Sequence, residues 1–316
     1  MVTTLLLGLA CQAGPTLALT DIHLRDPFIL RHEADGAYYL FGTGWSLGEG
    51  IGFMVYRSRD LVRWEGPEAA FRRPEGFWAD RDYWAPEVHA YRGRYYLFGS
   101  LKSEDARRGT QILVADHPAG PYAPHSDGPV TPRDWECLDG TLYVDDDGRP
   151  WMVFCHEWVQ VQDGEMCAIP LTEDLRSADG PPQLLFRASE APWIRALGDE
   201  DSGNYITDGP FMISGQHGEL FMLWASFSDG GYAQAYAVSR SGALAGPWEQ
   251  AVEPLYRDDG GHAMVFTGPD GERILTLHQP NGGAAERPRL FRFIERDGIL
   301  AIEPWSPEET TGPDED

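Results

Sequence analysis

Ala37-Tyr38-Tyr39-Leu40-Phe41-Gly42-Thr43 and Arg94-Tyr95-Tyr96-Leu97-Phe98-Gly99-Ser100 are two copies of one sentence. Each is an aromatic, alternating run of strand character that ends on glycine and a small hydroxyl residue. Further copies follow at intervals of roughly 50 to 60 residues. They run through Pro150-Trp151-Met152-Val153-Phe154, Leu220-Phe221-Met222-Leu223-Trp224 and Arg273-Ile274-Leu275-Thr276-Leu277. A shorter strand precedes each run, across a turn such as Asp145-Asp146-Asp147-Gly148 or Gly268-Pro269-Asp270-Gly271. Acidic-Gly turns between such runs are hairpin signals. Helical periodicity is nearly absent. Five repeated antiparallel units of this size predict an all-β chain folded as a five-bladed β-propeller, with four-stranded blades around a central channel.

Composition agrees with that reading and excludes some partners. The 316 residues carry a formal net charge of −25, and 12% are aromatic. So acidic a surface repels nucleic acid and anionic membrane, and neither is expected as a partner. No run reaches the roughly 18 apolar residues of a membrane span. Met1 to Ala18 is apolar but lacks the basic start of a signal peptide, so residues 1–18 read as an extension, an over-called start or an extra edge strand. The location of the protein in or outside the cell stays open. The propeller is expected over 19–303, and the acidic, Pro-rich 304–316 as a frayed tail. Cys11, Cys137, Cys155 and Cys167 have no metal-ligand spacing; the last three read as buried thiols.

In a propeller the innermost strand of each blade lines the channel, so polar residues beside those strands meet at one mouth. Asp26 precedes Phe28-Ile29-Leu30, and Glu87 follows Trp84-Ala85-Pro86. Asp139 precedes Thr141-Leu142-Tyr143, Asp208 precedes Phe211-Met212, and His262 precedes Met264-Val265. The sequence reading gives each blade one polar residue at an equivalent place. Carboxylates facing one another across a concave site suit glycoside hydrolysis: one activates water or attacks, another protonates the leaving oxygen, and a third raises the acid's pKa by its charge. Trp45, Trp78, Trp84, Trp158 and Trp193 are candidates to stack on sugar faces, with core packing as the competing role of each. Arg287, Arg289, His89, His156 and His278 are further candidates to reach the substrate.

Taken together, several segments make the chain resemble glycoside hydrolase family 43. They are Arg25-Asp26-Pro27-Phe28-Ile29, Trp84-Ala85-Pro86-Glu87-Val88, Leu138-Asp139-Gly140-Thr141-Leu142-Tyr143 and Gly260-Gly261-His262. The resemblance implies an enzyme cleaving terminal arabinofuranosyl or xylosyl residues from plant-type oligosaccharides, with inversion and with no cofactor required. It makes Asp26 the general base and Asp139 the residue that raises and orients the acid. His262 becomes the axial histidine that in some relatives stands beside a calcium ion, so a structural calcium is possible there; no protein metal-ligand set is otherwise expected. Trp84, Glu87, His262 and Arg287 are the expected substrate-binding residues. The family's acid is a glutamate before Gly-Pro or Ala-Pro. Here Thr207-Asp208-Gly209-Pro210 holds the shorter aspartate, while Glu190-Ala191-Pro192 has the letters but lies upstream; both Asp208 and Glu190 are carried as the acid. Two alternatives accompany this reading: a carbohydrate-binding propeller whose acid has decayed, and a retaining fructosidase-like enzyme. Ser189 to Tyr205 is expected to close over the mouth. Oligomeric state is not legible.

Overall fold

The computed structural model describes residues 16–44, 48 and 50–307. Five antiparallel sheets follow one another along the chain, each built from consecutive strands. Their innermost strands are Arg25–His32, Arg81–Tyr91, Cys137–Val144, Asp208–Ser214 and Gly261–Thr267. This is the five-bladed propeller that the repeat predicts. Among the described residues the α-helix is a single turn, Trp158–Val161.

The aromatic runs become the second strands: Ala37–Thr43, Arg94–Lys102, Pro150–His156, Leu220–Ser228 and Arg273–Gln279. Covered on both faces by neighbouring blades, they read as continuous apolar runs rather than as half-polar strands. One register position shows the repeat clearly. Phe41, Phe98, Val153, Leu223 and Thr276 each pair with the inner strand at the same offset, and all are fully buried. Burial of each apolar member contributes roughly 1.5–3 kcal/mol. The core is therefore divided among the gaps between blades. One cluster joins Cys137, Met152 and Phe154 to Phe98 and Ile112, and another joins Val153 and Phe186 to Met222 and Trp224. Cys137, Cys155 and Cys167 lie in these layers as buried free thiols. Cys11 lies outside the described residues.

The first and last described segments meet near the junction of the first and last blades. Leu17–Ala18 adds a two-residue strand to the outer edge of blade one, against Arg63 and Trp64. At the other end Ile299–Pro304 completes blade five, and Trp305 beyond it donates to Glu272 Oε1 at 3.1 Å. Pro304 and Trp305 are thus attached to the last blade, while 308–316, most of the expected tail, lie outside the described residues. Among the described residues no blade combines strands from both ends. The ring instead closes through side chains: Arg25 Nη1 donates to Glu286 Oε1 at 3.1 Å and to Asn281 Oδ1 at 2.6 Å, and Arg31 donates to the Gly268 carbonyl at 3.0 Å.

Candidate active site

Every inner strand breaks register at the same point. The ladder slips between Arg25 and Phe28, Trp84 and Glu87, Leu138 and Thr141, Asp208 and Phe211, and Gly261 and Met264. Each slip is a β-bulge, a device that re-aims side chains. Its first residue has left-handed φ in all five blades: Asp26 52°, Ala85 42°, Asp139 56°, Gly209 54° and His262 57°. Such a conformation strains most non-glycine residues, and strain of this kind gathers at functional sites.

Each bulge is also tied to the blade before it. The Asp26 amide donates to His278 Nδ1 at 3.3 Å, the Ala85 amide to Thr43 Oγ1 at 2.8 Å, and the Asp139 amide to Ser100 Oγ at 2.8 Å. The Gly209 amide donates to Asp139 Oδ2 at 3.0 Å, and Ala263 N–H, one residue past the bulge apex, to Gln234 Oε1 at 2.8 Å. Thr43, Ser100 and His278 occupy matching register positions on the second strands. The small hydroxyl that ends each of the first two aromatic runs is therefore a clasp between blades.

Asp26, Asp139 and His262 consequently share one structural position and converge. His262 Nδ1 lies 3.1 Å from Asp26 Oδ1 and 3.7 Å from Asp139 Oδ2. Asp208 joins them from one residue earlier in its bulge. Steric space explains the offset: a Cβ on Gly209, the apex of blade four, would lie 2.8 Å from the His262 ring. These groups open onto a funnel of about 520 Å³ to which all five blades contribute, including Arg25, Trp84, Glu157, Phe227 and Asn281. That volume falls within the usual range for small-ligand sites.

Electrostatics separates the acids. Burial pushes the Asp26 carboxyl up, but His262 and Arg25 beside it outweigh burial and hold it far below the ordinary carboxylate range. Thr43 Oγ1 donates to Asp26 Oδ2 at 2.7 Å, and Arg25 Nε lies 3.3 Å from Oδ1. Burial raises Asp139 to about 7; His262 opposes it, while the charges of Asp208 and Asp26 add to it. Burial likewise raises Asp208, against the pull of Arg25 and His262, and Tyr232 donates its hydroxyl to Asp208 Oδ2 at 2.9 Å. His262 is lowered by burial but lifted further by Asp26 and Asp139, to about 9, so at neutral pH it is an imidazolium. His278 goes the other way: burial takes it down to about 3, and as a neutral ring it accepts the Asp26 amide. An ionised carboxylate, two carboxyls biased towards protonation and two fixed cations, His262 and Arg25, are thereby held around the same funnel, an arrangement able to do acid–base chemistry.

Several sequence expectations need correction. Glu87 is not the blade-two counterpart of Asp26; that place is Ala85's. Two residues further on, Glu87 is buried against His89 Nε2 at 3.0 Å and does not line the funnel. Glu190 is exposed in the short turn Ala188–Glu190, where its carboxylate accepts the Arg187 amide at 2.8 Å; it is not brought to the funnel. Arg287 directs its guanidinium to the carbonyls of Thr20, Ala284 and Glu286, away from the funnel lining. Ser189 to Tyr205 supplies no lining residue: Ala191, Trp193 and Ile194 are buried in the blade three–four core. Trp84 and Trp158 do line the funnel, whereas Trp193 packs on Trp224 with centroids 4.9 Å apart. Trp45 lies outside the described residues. His89 and His156 are engaged elsewhere, by Glu87 and Glu165.

The sequence reading missed Thr43, Glu157, Arg108 and Tyr232. The closing Thr or Ser of the aromatic runs was the visible signal for Thr43; the others come from loops and outer strands whose approach needs the folded ring. As for calcium, such an ion takes six to eight oxygen ligands. Asp26 and Asp139, both within 4 Å of the His262 imidazole, are the carboxylates that stand beside that ring among the described residues.

Comparison with known proteins completes the description. The family model described as "Glycosyl hydrolases family 43" matches residues 19–310. An extracellular exo-α-(1→5)-L-arabinofuranosidase of Cellvibrio japonicus is 27% identical, with 86% of this chain and 81% of that protein covered. An extracellular endo-α-(1→5)-L-arabinanase of Bacillus subtilis is 26% identical, over 80% of this chain and 77% of its own. Among solved structures, an endo-arabinase from Bacteroides thetaiotaomicron superposes with a TM-score of 0.83 at 43% identity, covering 90% of this chain and 98% of that one.

Proposed function

The chain belongs to glycosyl hydrolases family 43 and is a glycoside hydrolase; on that premise we propose that it releases terminal α-L-arabinofuranosyl residues from arabinan-type oligosaccharides, with inversion of configuration. The relatives named above support arabinan as the substrate class. Walls drawn from all five blades surround the acids, which suits a chain end better than a chain passing through.

One observation carries the chemistry: Asp26 is held ionised in the same funnel where Asp139 and Asp208 are held towards the protonated state. Asp26 acts as general base. Thr43 and Arg25 fix its orientation, and its negative charge is available to take a proton from a water molecule attacking the anomeric carbon. Asp208 acts as general acid and delivers its proton to the departing glycosidic oxygen. Tyr232 bonds Oδ2 and leaves Oδ1 for the proton. Asp139, which accepts the Gly209 amide, holds the strand that bears Asp208, and the two carboxyls resist being ionised together. The imidazolium of His262 keeps the buried acids from repelling one another apart. The side chains supply both proton transfers, so the proposed reaction requires no cofactor. Nothing in this reading involves nucleic acid or membrane as partner.

The test is hydrolysis of an aryl α-L-arabinofuranoside followed by NMR. The first product expected is the β-anomer; an α-anomer first would overturn inversion. Asp26→Asn should lower kcat by about 10²–10⁴-fold with little change in KM, because it removes only the base.

A further inference from the structure

We infer that Glu157, held in place by Arg108, is the residue that recognises the hydroxyls of the bound sugar. The inference rests on the glycosidase reading above and names a specificity element of that same funnel.

Glu157 follows the strand Pro150–His156 and stands at the N-cap of the single helical turn Trp158–Val161. A carboxylate at an N-cap ordinarily accepts a helix amide. Here the side chain makes no such bond; the Glu157 carbonyl receives Gln160 and Val161 while the carboxylate turns elsewhere. It is 6% exposed and lines the funnel together with Trp158.

Blade two holds it there. Arg108 Nη1 donates to Glu157 Oε2, and Nη2 donates to Asp82 Oδ2 at 2.8 Å. The same guanidinium lies 4.1 Å over the ring of Trp84, which is 36% exposed in the funnel. Arg108 thus fixes two wall residues at once, an aromatic face and a carboxylate.

The carboxylate keeps acceptor capacity in reserve. Arg108 occupies Oε2, and Oε1 has no partner among the described residues. Burial raises the Glu157 carboxyl and Arg108 opposes that rise; in its ionised form the carboxylate offers about four acceptor positions and no donor. A sugar ring offers hydroxyl donors around its edge and C–H groups on its face. Against Trp84 and Trp158 the face finds aromatic surface, and its hydroxyls find Oε1. An ion pair needed only to join blades two and three would gain little over apolar packing, and would have no reason to stand in the funnel wall.

Glu157→Gln and Glu157→Ala, made in the full chain, test the inference on whichever aryl pentoside the wild type hydrolyses and on the matching oligosaccharide. Loss of one charge-assisted bond to a hydroxyl predicts KM raised about 10- to 100-fold in the alanine variant. The effect should be similar for both substrates, smaller in the glutamine variant, and leave the pH limits of kcat/KM in place. Arg108→Lys, which keeps the charge but loses the fork, should raise KM in the same direction. An unchanged KM would make the pair structural and overturn the inference. So would a kcat loss confined to the oligosaccharide with the alkaline limb abolished, since Glu157 would then be a proton donor. Thermal melts of the glutamine variant separate misfolding from either result. Failure of the wild type on arabinosides, with turnover of another pentoside, would count against the substrate reading alone.

Discussion

At the residue scale, the decisive group is the imidazolium of His262, which makes two buried carboxyls and a third, half-buried one tolerable in one funnel. Its stabilisation has a definite pH range. Because its folded-state pKa is raised to about 9, the contribution is complete below the unfolded value of about 6.5 and is lost as pH rises through about 9. The wild type should therefore melt progressively lower between those limits, and His262→Gln should flatten that slope; a parallel slope in both proteins would refute it. On the proposed mechanism Asp139 acts on Asp208 through their shared resistance to joint ionisation. Asp139→Asn removes an acidic neighbour of Asp208, so the alkaline limb of kcat/KM should move to lower pH, as a pH–rate profile on an aryl arabinofuranoside would reveal. The letters Asp26, Asp139 and Asp208 were visible in the sequence because each sits beside a repeat. Glu87 was misplaced for a physical reason: side chains alternate along a strand, so an error of two residues at a bulge keeps the polarity but loses the position. Glu157 carried no repeat signal at all.

At the scale of the element, the bulge is the unit that builds the site. It appears five times, but only three copies hold a polar residue at the apex; the other two hold Ala85 and Gly209. Gly209 is there for two reasons at once, a φ of 54° and the His262 ring where its Cβ would be. Gly209→Ala should destabilise the fold by roughly 1–3 kcal/mol. It should also lower kcat more than a distant substitution of equal stability effect, because the ring must move. Chemical denaturation paired with kinetics checks both parts. The run of aromatic strands was readable from periodicity, since its spacing depends only on local pattern. The bulges were not, because a slip in pairing concerns two strands and only their partner reveals it.

For the whole molecule, the notable choice is how the ring closes. With no blade shared between the two ends among the described residues, blade one meets blade five through packing and through Arg25, Glu286, Asn281 and His278. Glu286 is fully buried, and removal of one partner from a buried charge pair typically costs about 3–5 kcal/mol. Glu286→Ala should fall in that range in urea titrations, well beyond the loss from Glu249→Ala, whose partner Arg240 is half exposed. A surface-sized effect would mean that Arg25 finds compensation at Asp26. Arg25 touches both groups: it reaches across the junction to Glu286 and lies 3.3 Å from the carboxylate of Asp26. The place where this circle of sheets would first part is thus the place where, on the proposed mechanism, water is activated. Under gentle heating or dilute urea, turnover should disappear while the far-ultraviolet signature of the strands persists, so that catalysis serves as the earliest gauge of the ring coming undone.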